Sequence, residues 1–162
     1  MRYSQYRIAR CVALMLGIFV ASSPVQAAED HRWLLQTSAY TTHFHDNPEH
    51  NNHQHLVNLE YQRSDQWVIG ASAFDNSFAQ PTQYAYIGRL FRPLDSAPLV
   101  HFKLTGGLIH GYKDQYKDKI PFNSRGVAPV IIPAIGLSGK HLSGEVNFFG
   151  LAGLMVTMGV LF

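Results

Sequence analysis

The stretch Leu154-Met-Val-Thr-Met-Gly-Val-Leu-Phe162 is an apolar strand pattern that closes on an aromatic residue. Barrels of the bacterial outer membrane finish this way, because the last strand must face lipid on one side and close the sheet on the other. The constraint is severe, since an unmatched backbone group in hydrocarbon costs several kcal/mol. The start of the chain points the same way. Arg2, Arg7 and Arg10 precede a short apolar run, Cys11–Ala21, and Val25-Gln-Ala27 offers the small residues that a signal peptidase prefers. So short a run cannot cross roughly 30 Å of hydrocarbon as a helix, which takes about 20 residues. Residues 1–27 are therefore expected to be a cleaved export signal, and 28–162 one outer-membrane β-barrel domain.

The expected cleavage changes the charge. Of the 13 Lys and Arg residues, three lie in the signal, leaving ten against 11 Asp and Glu. Nucleic-acid binding thereby loses its compositional support. Cys11, the sole cysteine, also leaves, which excludes disulfides and thiol chemistry.

Eight segments have strand-like composition and the length of a tilted crossing, about 9–11 residues. They are residues 33–45, 54–63, 66–74, 82–91, 99–109, 127–137, 141–149 and 153–162. The connections at 64–65, 93–98 and 138–140 are tight; those at 45–53, 75–81 and 110–126 are longer and polar. Such alternation matches periplasmic turns and external loops, so the expected fold is an all-β, eight-stranded antiparallel transmembrane barrel. An open sandwich of the same strands is the alternative. Period two places His101, Lys103, Thr105, Gly107 and Ile109 inward on the fifth strand, and Asn58, Glu60 and Gln62 inward on the second. The lumen should thus be polar near the periplasm and apolar near the outside. An eight-stranded barrel has room for side chains or one small ligand. Either a hydrocarbon chain occupies the upper lumen, or its residues simply pack together.

Val127-Ala-Pro-Val-Ile-Ile-Pro-Ala-Ile-Gly136 is odd for a membrane strand, because Pro129 and Pro133 each lack a ladder N–H. A lateral gap that admits a lipid tail would account for both; a strand that begins later would account for Pro129 alone. Phe74-Asp-Asn-Ser-Phe78 and the pair His43 and His45 fall at the same outer rim. There His43 or His45 can act as proton acceptor, Ser77 or Asn76 can polarise or orient reacting groups, and Asp75 can orient the imidazole. His43, deeper in its strand, is the preferred base. His43, His45, His50, His53 and His55 also raise the possibility of a transition metal, but no bracketing carboxylate or cysteine pair supports one. The loop Gly111-Tyr-Lys-Asp-Gln-Tyr-Lys-Asp-Lys119 either meets lipopolysaccharide phosphates or is an ordinary solvated loop.

Ala73-Phe-Asp-Asn-Ser77, Phe91-Arg-Pro-Leu94, Ala128-Pro-Val-Ile-Ile-Pro133 and the terminal strand, in that order, resemble the PagP-type lipid A palmitoyltransferases. The resemblance implies an eight-stranded barrel that moves a palmitoyl chain from a phospholipid onto lipid A in the outer leaflet. It places the catalytic Ser on Ser77 and the His on His43. The family's Asp falls on Asn76, with Asp75 one residue earlier. The chain departs from the family in lacking room for an amphipathic helix before the first strand. No dissociable cofactor or metal is expected, the donor and acceptor lipids being the only partners of a monomer. Two other readings stay open. One is a lipid A deacylase, for which the late strands offer only His141 and Ser143 near a periplasmic turn. The other is a non-catalytic barrel for structure or adhesion, with a solidly packed lumen.

Overall fold

The computed structural model describes residues 31–45, 47 and 49–162; the expected signal segment lies outside them. Eight strands follow in chain order: β1 Arg32–His43, β2 Leu56–Gln62, β3 Trp67–Asp75, β4 Pro81–Phe91, β5 Val100–His110, β6 Val127–Ser138, β7 Leu142–Phe148 and β8 Gly153–Leu161. Each pairs antiparallel with its neighbours, and β1 pairs with β8. The chain is a closed eight-stranded antiparallel transmembrane β-barrel. The one helical element among the described residues is a 3₁₀ turn, Asp114–Lys119, in the β5–β6 loop.

The alternation along the strands is that of a lipid-facing wall. On β4 every second residue is buried, and on β5 His101, Lys103 and Thr105 are buried between exposed Phe102 and Leu104. Val57, Leu59, Ile69, Ile87, Leu104, Leu108 and Val160 all expose large apolar side chains around the outside. Trp33, Trp67, Phe91, Phe102 and Phe162 lie towards the end that carries the short turns, where an interfacial girdle belongs. Arg89 lays its guanidinium 5.9 Å from the Trp67 ring and 5.8 Å from that of Phe91, keeping its charge at that interface.

Two strand boundaries differ from expectation by two residues, and the others by one at most. β1 stops at His43, not His45, because its partner β8 begins at Gly153, opposite His43. β2 begins at Leu56, and Ser38 takes over the ladder just above it: its Oγ donates to Gln54 O and accepts from Leu56 N.

The lower lumen is a closed polar network. Lys103 Nζ lies 2.9 Å from Glu60 and 2.8 Å from Glu145. His101 Nε2 meets Glu145 at 3.1 Å, and the Tyr86 hydroxyl donates to Glu60 at 2.8 Å. Gln36, Asn58 and Gln62 donate amide N–H groups into the same network. Ion pairs this deeply buried are tolerated because further hydrogen bonds satisfy their remaining lone pairs. Above the network, Phe74, Ile132 and Phe149 border both a small cavity of about 50 Å³ and a large apolar one of about 700 Å³.

Candidate active site

His43 reaches the lumen through an irregularity. Between Ser38 and Tyr40 the β1–β8 register slips, Ala39 being the extra residue. Without that bulge the inward set Leu34, Gln36 and Ser38 would continue to even-numbered positions and turn His43 outward. With it, Thr41 and His43 face in, because one added residue flips every later side chain. Gly153 completes the placement: a Cβ there would collide with the Thr42 carbonyl oxygen and crowd His43 Cα.

Ser77 sits in the β3–β4 loop, and Asn76 builds that loop. The Asn76 side chain is fully buried; its Oδ1 accepts from the N–H groups of Phe78 at 2.9 Å and Gln80 at 3.1 Å. Its amide donates to Gln80 Oε1, and more weakly to Gly111 O at 3.5 Å. This is an Asn organising its own turn. Every polar atom of Asn76 is thus spent on the loop, and none reaches the imidazole. Asp75, at the end of β3, makes no side-chain hydrogen bond or ion pair among the described residues. These two do not supply the orienting group.

What the fold does bring together is His43 with Ser77, their Nε2 and Oγ atoms 2.7 Å apart. The orienting partner is Asn52, whose Oδ1 lies 2.7 Å from His43 Nδ1. An amide oxygen only accepts, so Nδ1 carries the proton and Nε2 presents its lone pair to the Ser77 hydroxyl. Nucleophile, base and orienting group thereby stand in the order that acyl transfer uses. The loop carrying Asn52 is pinned alongside by Asn51 N donating to Ser77 O at 2.7 Å. His45 is exposed and apart from this group.

An aromatic clasp joins the three long loops above the pair. Phe78 stacks on Tyr116 with centroids 4.0 Å apart and meets His50 and Tyr112 edge-on. The His50 ring lies 4.2 Å from that of His43. Burial, and then the neighbouring His43, hold the His50 pKa below the ordinary value for histidine. Tyr112 turns its hydroxyl against Ser77; burial pushes the phenol pKa up, and the Ser77 contact partly offsets this. Among the described residues no group of three His, Cys, Asp or Glu side chains is arranged to hold a metal ion. Ser143 points into the polar network, 3.2 Å from Ser138, while His141 is exposed at the opposite end of the barrel from His43.

The pair opens on the upper cavity, walled by Phe74, Ile109, Val130, Ile132, Phe149 and Leu154, with Thr41 beneath His43. Its volume of about 700 Å³ falls in the range of small-molecule sites. One side of that wall is incomplete. β6 pairs with β5 without interruption from Val127 to Leu137, both prolines included. With β7 it pairs only from Ala134 to Ser138. Ser138 N donates to Leu99 O on the β5 side, so the odd-numbered residues of β6 turn their polar groups towards β7. Pro129 and Pro133 therefore remove N–H groups from the edge that has no strand beside it. Each proline thus leaves one fewer unsatisfied N–H where lipid meets the barrel.

No family model matches the chain, and no curated protein matches it. Among solved structures it is similar to a chain from work on "De novo design of transmembrane beta-barrels", at 10% sequence identity and a TM-score of 0.48, over 85% of this chain and 97% of that one.

Proposed function

We propose that this barrel is an acyltransferase of the bacterial outer membrane, which moves a long acyl chain, palmitoyl by resemblance, from a phospholipid onto lipid A in the outer leaflet. The observation that carries the reading is the 2.7 Å contact between His43 and Ser77 at the mouth of an apolar cavity. The donor's chain enters sideways past the unpaired edge of β6 and lies in the upper lumen, which brings its ester to the rim. Ser77 Oγ attacks the ester carbonyl as His43 Nε2 takes the hydroxyl proton, and collapse expels the lysophospholipid, which recovers that proton. A lipid A hydroxyl then attacks the acyl-serine with His43 as base again, releasing Ser77. Neither half-reaction changes oxidation state, and the donor is already an ester, so no cofactor or metal enters.

The cavity also speaks against a purely structural barrel, which would fill its lumen. A deacylase using His141 and Ser143 finds no support, since those side chains do not meet. The test is mass spectrometry of lipid A from cells expressing the protein, after divalent cations are stripped to bring phospholipid into the outer leaflet. A gain of one acyl chain, absent with Ser77→Ala, supports transfer. Loss of a chain, or no change, removes the assignment.

A further inference from the structure

The catalytic group described so far lacks one component. When Ser77 attacks an ester, the carbonyl oxygen becomes an oxyanion, and acyl transfer is fastest where a fixed donor already faces that position. In many sites backbone N–H groups supply it. Three of those that follow Ser77 are already committed: Phe78 N and Gln80 N donate to Asn76 Oδ1, and Ala79 N to Asn76 O. His43 and Asn52 are occupied with each other and with Ser77.

Of the donors left, Tyr112 is the one set against Ser77. It lines the same cavity as His43 and Ser77, and its hydroxyl lies against the Ser77 side chain. No well-formed hydrogen bond commits that hydroxyl elsewhere among the described residues. The residue is also held in place. Asn123 Nδ2 donates to its carbonyl at 2.8 Å, its ring meets Phe78 edge-on at 6.4 Å, and it packs against the apolar cluster of Val68, Tyr84 and Ile109. Just before it, Gly111 has φ +153°, and a Cβ there would strike the Thr82 side chain. The chain thus leaves β5 by a path open to glycine, which sets Tyr112 over the mouth. Burial in the wall also keeps the phenol protonated at neutral pH, as a donor must be.

We infer that Tyr112 is a catalytic residue whose hydroxyl donates to the oxyanion formed when Ser77 adds to the donor's ester carbonyl. The inference rests on the proposed acyl transfer and deepens it. Ser77 Oγ bonds to the carbonyl carbon, the Ser77 proton moves to His43 Nε2, and the carbonyl π pair becomes the charge that the phenol O–H faces. On collapse the pair returns to the carbonyl, and the donor's glycerol oxygen leaves with the proton held by His43. A phenol therefore does at this site what backbone N–H groups do elsewhere.

The test compares two ligands in detergent micelles: a long-chain trifluoromethyl ketone, which a serine hydroxyl converts to a tetrahedral oxyanion, and the methyl ketone of equal length, which stays trigonal. Fluorine NMR reads the adduct, and circular dichroism confirms the barrel in each variant. Wild type should bind the trifluoromethyl ketone far more tightly, and Ser77→Ala should erase the difference. Tyr112→Phe should weaken the trifluoromethyl ketone about 10²- to 10³-fold and leave the methyl ketone unchanged. If Tyr112→Phe binds the trifluoromethyl ketone as wild type does, or weakens both ketones equally, Tyr112 is only cavity wall and the inference falls while Ser77 chemistry stands. If wild type or Ser77→Ala treats the two ketones as the other does, nucleophilic Ser77 falls, and the role of Tyr112 with it.

Discussion

Below Phe74, Ile132 and Phe149 the lumen is filled with polar groups: Glu60, Lys103, Glu145 and His101 bond to one another and to four neutral polar side chains. Above them it is a void with apolar walls, an unpaired strand edge and a few polar atoms left without partners, Thr41 Oγ1 and His50 Nδ1 among them. In the lower half, Gln62 Oε1 is the one buried polar side-chain atom among the described residues without a partner. The upper half gives up packing and ladder bonds, and what it leaves open is where chemistry can occur. If the upper half carries the proposed acyl transfer, stability and activity separate along the barrel axis, and substitutions should sort accordingly.

The largest effect is expected in the upper half and on rate alone. His43→Ala or Ser77→Ala should lower acyl transfer by about 10⁴-fold or more, with the unfolding midpoint in detergent nearly unmoved. Transfer that survives in both variants would exclude the pair as the catalytic centre. The mirror image lies below: Lys103→Met leaves two buried carboxylates facing each other and should cost about 3–5 kcal/mol of stability. Denaturant titration measures that loss, and the folded fraction should transfer acyl chains at the wild-type rate. A loss under 1 kcal/mol would mean that the network does not hold the barrel.

Asn52→Ala should come next, with a roughly 10- to 100-fold fall in kcat, because the imidazole keeps its place but loses the acceptor that selects its tautomer. An unchanged kcat would return the orienting role to an unknown group. Thr41→Val should stabilise the empty barrel by about 1 kcal/mol, since it deletes a buried hydroxyl that has no partner. A destabilised variant would show that the hydroxyl is satisfied after all.

The smallest effect concerns pH. His50 has a folded pKa below the unfolded value of 6.5, so the unfolded state binds the extra proton first. Stability should therefore be constant above about pH 7 and fall as pH drops through 6.5, levelling off below the folded pKa. Hydrogen exchange in the three long loops should rise in that window, and His50→Phe should flatten the response. An identical pH profile in that variant would place the effect elsewhere.

The wall of this protein was legible in the sequence because lipid imposes a rule at every second residue. Strands such as Val100–His110 announce both faces, and the length of the connections orients them. The prolines of β6 were legible for the same reason, since a missing N–H is a property of the residue itself. The site was legible only in part. His43 and Ser77 could be placed at one rim, but Ala39 carries no mark of a bulge, and without the bulge His43 would face lipid. Asn52 was hidden in a loop of ordinary polar residues, 25 positions before Ser77, and only the folded loop aims its side chain. Asn76 misled in the opposite direction: standing beside Ser77, it looked like a participant, whereas its side chain is consumed in shaping the turn. Adjacency in sequence says little about which way a loop residue points.

His43 is carried by β1 and held against Gly153 of β8, across the seam where the ends of the sheet meet. Ser77 arrives from another part of the circle, between β3 and β4. A chain in transit, with its first and last strands not yet zipped, holds the nucleophile and its base on separate, unaligned segments. On the proposed acyl transfer, closing the β1–β8 ladder is then also the step that activates the protein.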